Sequence, residues 1–407
     1  MTASPFSGDP AVLKVLDAGT MMAGPFAATL LGDYGADVIK IERRGGDIQR
    51  YIGPGPTGLC YRWQVDARNK RCITLDIRKP EGQALYRRLA AWADVLIENN
   101  RPGAMERLGL GYEQLRAVNP RLVYVRVSGF GDTGPYRDRP GYDFTGAAFG
   151  GLTAVTGYPD RPPVLPGFPV LDYSAGMFAA IGALEALRRR DAPGGSGAGE
   201  YVDLALYEPV LRISQHALQL YATEGIVQAR EGGMPVGDKP PQTTHGWTYE
   251  TRDGHYISAF PVSVEQFQQL ARLLGDPVLL APGAELMENR TAISPYMDRV
   301  LRPWIRARDR DEVLAALVAA DVACAPVNDA RDLYQDPHIR ARGNIVETMN
   351  TRGEPLAMPG VIPRFAGRPG TVRWTGEDIG ASNEAVFQGL LGLPDDEYRR
   401  LIESQVI

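Results

Sequence analysis

Asp172 stands where the run PVLPGFPVLD gives way to YSAGMFAAIGAL, a carboxylate at the entry to an Ala-rich helix. Two chemistries fit an acid at such a junction. It can cap the helix by accepting from the first free backbone N–H groups. It can also act as a covalent nucleophile toward an acyl carbon. The small residues of YSAG leave room beside it for a bulky ligand, and a helix N-terminus keeps a carboxylate ionised and offers N–H groups to an oxyanion. Spacing alone leaves both readings open.

Other chemistries are poorly served. The first turn, GTMMAGP, has only Gly19 and Gly24, and so lacks the G-x-G-x-x-G that lets backbone approach a pyrophosphate. Gly24-Pro25 also lacks the Lys-Ser/Thr of a P-loop. Glu42 ends a strand as the acid of an NAD site would, but a charge capping an exposed strand end explains it too. His216, His245, His255 and His338 make no metal-binding pair at helical spacing. GGSGA around Ser196 misses the nucleophile elbow G-x-S-x-G by one residue. No metal and no tightly bound cofactor are expected.

The elements that must position Asp172 follow from periodicity. Leu13–Gly19, Ala36–Glu42, Arg71–Ile77, Asp94–Asn100 and Leu122–Phe130 read as strands, with helices at Gly24–Gly35 and Glu81–Ala93 between them. Strands alternating with helices imply an α/β fold whose parallel sheet is covered on both faces. A helix at Tyr173–Arg190 ends in three Arg, as its dipole favours. The Gly-rich Asp191–Glu200, a strand at Tyr201–Tyr207 and a helix at Pro209–Gly225 follow. Beyond Ile226 the composition turns loop-like up to His245. A hairpin turning at Asp253-Gly254, helices at Val264–Gly275, Pro295–Ala307 and Arg310–Asp321, and a helical tail from Asn383 to Ile407 then suggest a smaller α+β region and a return.

Composition narrows the class. A chain of 407 residues with 44% hydrophobic and 23% charged residues has ample material for two or three cores. A net charge of −5 makes no electrostatic case for nucleic acid or an anionic membrane. Only five of its 44 basic residues are Lys. Cys60, Cys72 and Cys324 lack zinc spacing and are odd in number, which fits a reducing cytoplasm. The N-terminal residues do not read as a signal peptide, and no continuous run of 18 apolar residues occurs.

Five ordered segments then carry a resemblance: VLDAGTMMAGPFAATLLGDYGADVIKIER, NKRCITLDIRKPEG, ADVLIENNRPGAMERLGLGYEQL, NPRLVYVRVSGFGDTGP and VLDYSAGMFAAIGALEAL. Together with ACAPVND near Ala323 they resemble the class III CoA-transferases, a family that includes formyl-CoA transferase, carnitine CoA-transferases and α-methylacyl-CoA racemase. The resemblance implies an interlocked homodimer, with a large domain over 1–225, a small domain over 226–330 and a return over 331–407. It makes Asp172 the nucleophile that exchanges acyl and CoA groups through an acyl-aspartyl anhydride and an aspartyl-CoA thioester.

By the same resemblance, Met22, Ala23, Arg43, Leu75, Arg78, Asn99, Asn100, Arg101 and Arg107 contact CoA, with Arg43, Arg78 and Arg101 facing its phosphates. Asp143 matches an acid that supports the nucleophile, although capping the helix FTGAAFGG would explain it equally. Gly232 and Gly233 are the nearest counterpart of a glycine loop that shields the intermediates from water. Trp63, Gln64, Tyr142 and Trp247 are candidates to line the acyl pocket. Where the family's racemases carry a His, this chain has Tyr142, a poor proton-transfer base near neutrality. CoA transfer between an acyl-CoA and a carboxylic acid is therefore expected. An acyl-CoA racemase and a non-catalytic CoA-binding protein are the alternatives, and an NAD-dependent dehydrogenase ranks last.

Overall fold

The structure, a computed structural model, describes residues 6, 9, 11–56, 58–230, 232, 247–278, 280 and 299–407. Gly233, His245, residues 295–298 and the His216 side chain lie outside it. The chain forms two compact units: Met1–Gly150, Phe168–Ile213 and Pro337–Ile407 make the first, Gly151–Gly167 and Ser214–Asp336 the second.

In the first unit the elements run β1 (Lys14–Asp17), α1 (Ala23–Asp33), β2 (Asp37–Glu42), α2 (Tyr61–Asp66), β3 (Lys70–Thr74), α3 (Pro80–Trp92) and β4 (Val95–Glu98). They continue with α4 (Ala104–Arg107), α5 (Tyr112–Val118), β5 (Val123–Ser128) and α6 (Asp143–Phe149). After the short α7 (Leu152–Val155) of the second unit come α8 (Val170–Asp191) and β6 (Tyr201–Ala205). The strands are parallel throughout, in the order β3-β2-β1-β4-β5-β6. Their Val- and Ile-rich runs are buried on both faces, as a parallel sheet between helices requires. The order reverses between β1 and β4, and crevices at the carboxyl ends of such strands are where open α/β sheets bind ligands.

One face of the sheet is covered by α1 and α8, which meet through Ala23, Ala27, Ala28, Ala175, Ala179 and Ala183. Small side chains let the two backbones close. At Gly176 a Cβ would lie 2.8 Å from the Ala23 carbonyl oxygen, so only glycine fits there. This contact brings the start of α8, and Asp172 with it, against the turn that follows β1. By length and composition α8 is the one helix among the described residues that could cross a membrane, but here its Ala face is core. The other face of the sheet is covered by α3 and by the C-terminal residues, where Phe387, Leu401, Val406 and Ile407 are buried.

Two expected helices differ in detail. The helix at Pro209–Gly225 is broken at Ser214 into Glu208–Ile213 and Gln215–Glu224. The tail is a π-helical turn at Ala385–Leu390 followed by an α-helix at Asp395–Glu403. In the second unit the hairpin Thr248–Glu250 and Tyr256–Ala259 turns at Gly254, where φ is 77°, and Cys324–Pro326 adds a third antiparallel strand. Helices Val264–Leu274 and Arg310–Ala319 and residues 299–306 bury Phe267, Leu270, Leu301, Ile305, Val313 and Leu317 against it.

Candidate active site

The turn GTMMAGP spans the point where the strand order reverses, and it is pinned from below. Lys40 Nζ donates to the Gly19 carbonyl and pairs with Asp47 at 3.1 Å. Lys70 Nζ donates to the Pro25 carbonyl at 2.6 Å and to Asp17 at 2.8 Å. All four of these charged side chains are buried, so each depends on its partners for the solvation that water no longer supplies. Burial works against the Asp47 carboxylate, but Lys40 and the backbone N–H groups of Gln49 and Met21 outweigh it and hold it below the ordinary range. Asp47 accepts the Met21 N–H at 3.2 Å, and Met21 sits at φ 62°, a left-handed backbone uncommon for a side chain of its size. Across the crevice, Asn99 accepts from the Thr20 N–H and donates to the Thr20 carbonyl, both at 2.7 Å, tying the loop after β4 to the turn after β1.

Asp172 is not the cap of its helix. Helix α8 begins at Val170 with Pro169 at the N-cap, which puts Asp172 third. The free N–H groups of Leu171 and Asp172 donate instead to Asp143 Oδ1, at 2.8 and 3.1 Å. Asp143 therefore caps a helix, but α8 rather than the α6 that it begins. Its placement depends on Gly129 and Gly141, whose backbones touch so closely that a Cβ on either would lie within 2.6 Å of the other's Cα.

Relieved of capping, the Asp172 carboxylate accepts no hydrogen bond from any described residue. Burial and the neighbouring Asp143 charge, only partly offset by Arg62, push it up to about 7. A carboxylate held this way is both more basic and less stabilised than an ordinary one, which favours attack on carbon. It lines a cavity of about 270 Å³ together with Thr20, Met21, Ala23, Asn99, Asn100, Arg101, Arg139 and Tyr142. Thr20 and Asn100 also border a larger cavity of about 760 Å³, edged by Arg43, Arg44, Leu75, Ile77, Arg78 and Lys79. The small cavity could hold an acyl group and the basic one a nucleotide.

The sequence matches the family described as CoA-transferase family III over residues 11–383. The chain belongs to that family. It is 38% identical over 400 residues to the succinyl-CoA–L-malate CoA-transferase beta subunit of Chloroflexus aurantiacus, covering 97% of each chain. It is likewise 38% identical over 398 residues to the succinyl-CoA–D-citramalate CoA-transferase of the same organism, again covering 97% of each. Among solved structures, a CAIB/BAIF family protein from Brucella suis superposes with a TM-score of 0.77 at 32% identity, covering 95% of this chain and 100% of that one. The resemblance read in the five sequence segments is thus borne out, and this is a class III CoA-transferase enzyme.

Within this CoA-transferase, the residues expected at the site are not all gathered there. Asp172, Tyr142, Ala23, Asn99, Asn100 and Arg101 share the small cavity, while Arg43, Leu75, Arg78 and Asn100 border the large one. Arg78 is already held bidentately by Asp76, at 2.8 and 2.9 Å. Met22 and Arg107 border neither cavity.

Trp63 and Gln64 are not pocket walls but core. Each is at most 1% exposed, Trp63 lying under the Arg50 guanidinium at 3.7 Å and Gln64 donating to the Leu59 carbonyl. Trp247 belongs to the second unit, stacked on Phe260. There too, the Gly232 N–H donates to the Gly157 carbonyl at 2.9 Å. Sequence reasoning passed over Arg44, Lys79, Arg139 and Arg62. Arg44, Lys79 and Arg62 adjoin Arg43, Arg78 and Trp63, residues already singled out, a signal that was there to read.

Proposed function

We propose that this enzyme moves CoA between dicarboxylic acids through its own Asp172. The observation that carries the reading is a part-buried carboxylate, pushed up to about 7, that accepts no hydrogen bond from a described residue and faces the crevice where the strand order reverses. Asp172 Oδ attacks the thioester carbonyl of the donor, expelling CoA thiolate and leaving an acyl-aspartyl anhydride. The thiolate attacks the aspartyl carbonyl, which gives the aspartyl-CoA thioester and releases the donor acid. The acceptor carboxylate then attacks that thioester, expelling thiolate and forming a second anhydride. Attack of the thiolate on the acceptor's carbonyl completes the acceptor-CoA and frees Asp172. Bonds made and broken balance at each step, and no proton is consumed.

Asp143 holds the start of α8 and keeps Asp172 basic. Tyr142 borders the acyl group, and Arg43, Arg44 and Lys79 face the nucleotide, whose binding helps drive a difficult attack. Gly232 and Gly233 belong to the proposed water shield. Dicarboxylic substrates are favoured because the relatives' names pair succinyl-CoA with malate or citramalate. A homodimer is favoured because Met177, Phe178, Ile181 and Leu184 form an exposed apolar stripe along α8. Free thiols at Cys60, Cys72 and Cys324 suit the cytoplasm.

A panel of acyl-CoA donors crossed with mono- and dicarboxylic acceptors, read by mass spectrometry, tests the reading. Transfer with dicarboxylic pairs and no deuterium uptake at the α-carbon in deuterated water is expected. Deuterium uptake without transfer would make the enzyme a racemase instead.

A further inference from the structure

Arg62 lies on α2, part-buried, with its guanidinium Nη1 3.8 Å from Met22 Sδ. Met22 sits between Met21 and Ala23, which both line the Asp172 cavity. Three other arginines near α2 have an acid: Arg50 has Glu42 at 2.6 Å, Arg68 has Asp33 at 2.6 Å, and Arg71 has Glu377 at 3.2 Å, while Arg101 and Arg139, which line the cavity, are exposed. Arg62 has no carboxylate within ion-pair distance among the described residues. The nearby Asp66 is engaged elsewhere, accepting from Gln49 at 2.8 Å and from the Tyr173 hydroxyl at 3.0 Å.

A part-buried guanidinium without a counter-charge is costly to keep unless an anion arrives to use it. The anion is not Asp172 itself, whose carboxylate forms no ion pair with Arg62; the two groups feel one another only through space. A monocarboxylic acyl-CoA would bring no second charge to this place, because its one carboxyl carbon is the thioester under attack. A dicarboxylic acyl group brings one.

We propose that Arg62 is the specificity residue of the acyl pocket, binding the distal carboxylate of a dicarboxylic acyl group while Asp172 attacks the proximal carbonyl. This inference rests on the CoA-transferase reading above. Guanidinium and carboxylate match as a two-point pair. The pair would fix which end of the diacid meets Asp172 and reject acyl groups that end in a methyl.

The test compares succinyl-CoA with butyryl-CoA, which has the same chain length and no distal charge, in the full-length wild type, Arg62→Gln and Arg62→Lys. Wild type is expected to prefer succinyl-CoA in kcat/KM with one monocarboxylic acceptor, and Arg62→Gln to lose that preference by about 30-fold or more through the succinyl-CoA KM, while the loss of the charge that tempers Asp172 bears on both donors alike. Arg62→Lys, which keeps the charge but not the fork, should recover part of it. A wild type without preference overturns the inference, and so does an Arg62→Gln variant that loses both substrates equally. Absence of transfer by wild type with every donor and acceptor would instead refute the CoA-transferase reading, and the inference with it.

Discussion

Glu98 and Asp172 are two carboxylates in the same unit, both largely removed from water and both pushed above the ordinary carboxylate range, chiefly by burial. Glu98 ends β4 and is saturated: Arg126 Nε, the Tyr124 hydroxyl at 3.1 Å, and the backbone and side-chain amides of Asn100 at 2.6 and 2.8 Å all donate to it. Asp172 starts α8 and accepts from none of the described residues, while the cap that would have used a carboxylate is supplied by Asp143. The saturated acid orders the scaffold. The unsatisfied one stores free energy that a thioester carbonyl can release.

If the contrast is right, substitutions should separate cleanly into those that cost rate and those that cost stability. The largest effect belongs to Asp172→Ala, which should lower CoA transfer by about 10,000-fold or more with unchanged circular dichroism; retention of a tenth of wild-type turnover would remove Asp172 from the mechanism. Next, Asp143→Asn, whose amide oxygen can still accept from the Leu171 and Asp172 N–H groups, should lower turnover by up to about 100-fold because Asp172 becomes less basic. It should also move the acid limb of the pH–rate profile downward, because the charge that raises Asp172 is gone. In wild type that limb should lie near 7, with activity rising as Asp172 ionises.

The scaffold acid should behave otherwise. Glu98→Gln leaves Arg126 paired with Glu106 and Asp132 but breaks its closest ion pair, and should cost about 3 kcal/mol in denaturant unfolding with little change in turnover per folded molecule. Smallest is an effect of opposite sign at Asp172. A carboxyl whose pKa lies near 7 when folded and near 3.9 when unfolded removes stability as pH rises through that window. Asp172→Asn should therefore stabilise the protein by on the order of 2 kcal/mol at about pH 8 and by almost nothing at about pH 4, measured by unfolding at both.

Much of this was legible beforehand, and the rest was hidden for identifiable reasons. The parallel strands announced themselves as short runs rich in Val, Ile and Leu alternating with helical periodicity, most of them buried on both faces. The junction at Asp172 was visible, but not which role it plays. That depends on Asp143, 29 residues earlier in the chain, reaching across to take the cap. A six-residue helix such as α2 has too little periodicity to say which side faces in. Trp63 and Gln64 therefore looked like pocket walls when they are core, and Arg62 went unremarked. The left-handed Met21 left no trace in sequence either, since its strain is held by Asp47, Lys40 and Lys70 from three separate segments.

The central claim is that an oxygen of Asp172 becomes bonded to the acyl carbon of the substrate. Turnover with an acceptor acid labelled with oxygen-18 in its carboxylate, followed by peptide mass spectrometry, tests this directly. The second anhydride leaves one acceptor oxygen on the aspartate, so the peptide containing Asp172 should carry one oxygen-18 after a single turnover and approach two over many. Full conversion to the new acyl-CoA with that peptide unlabelled would contradict the account.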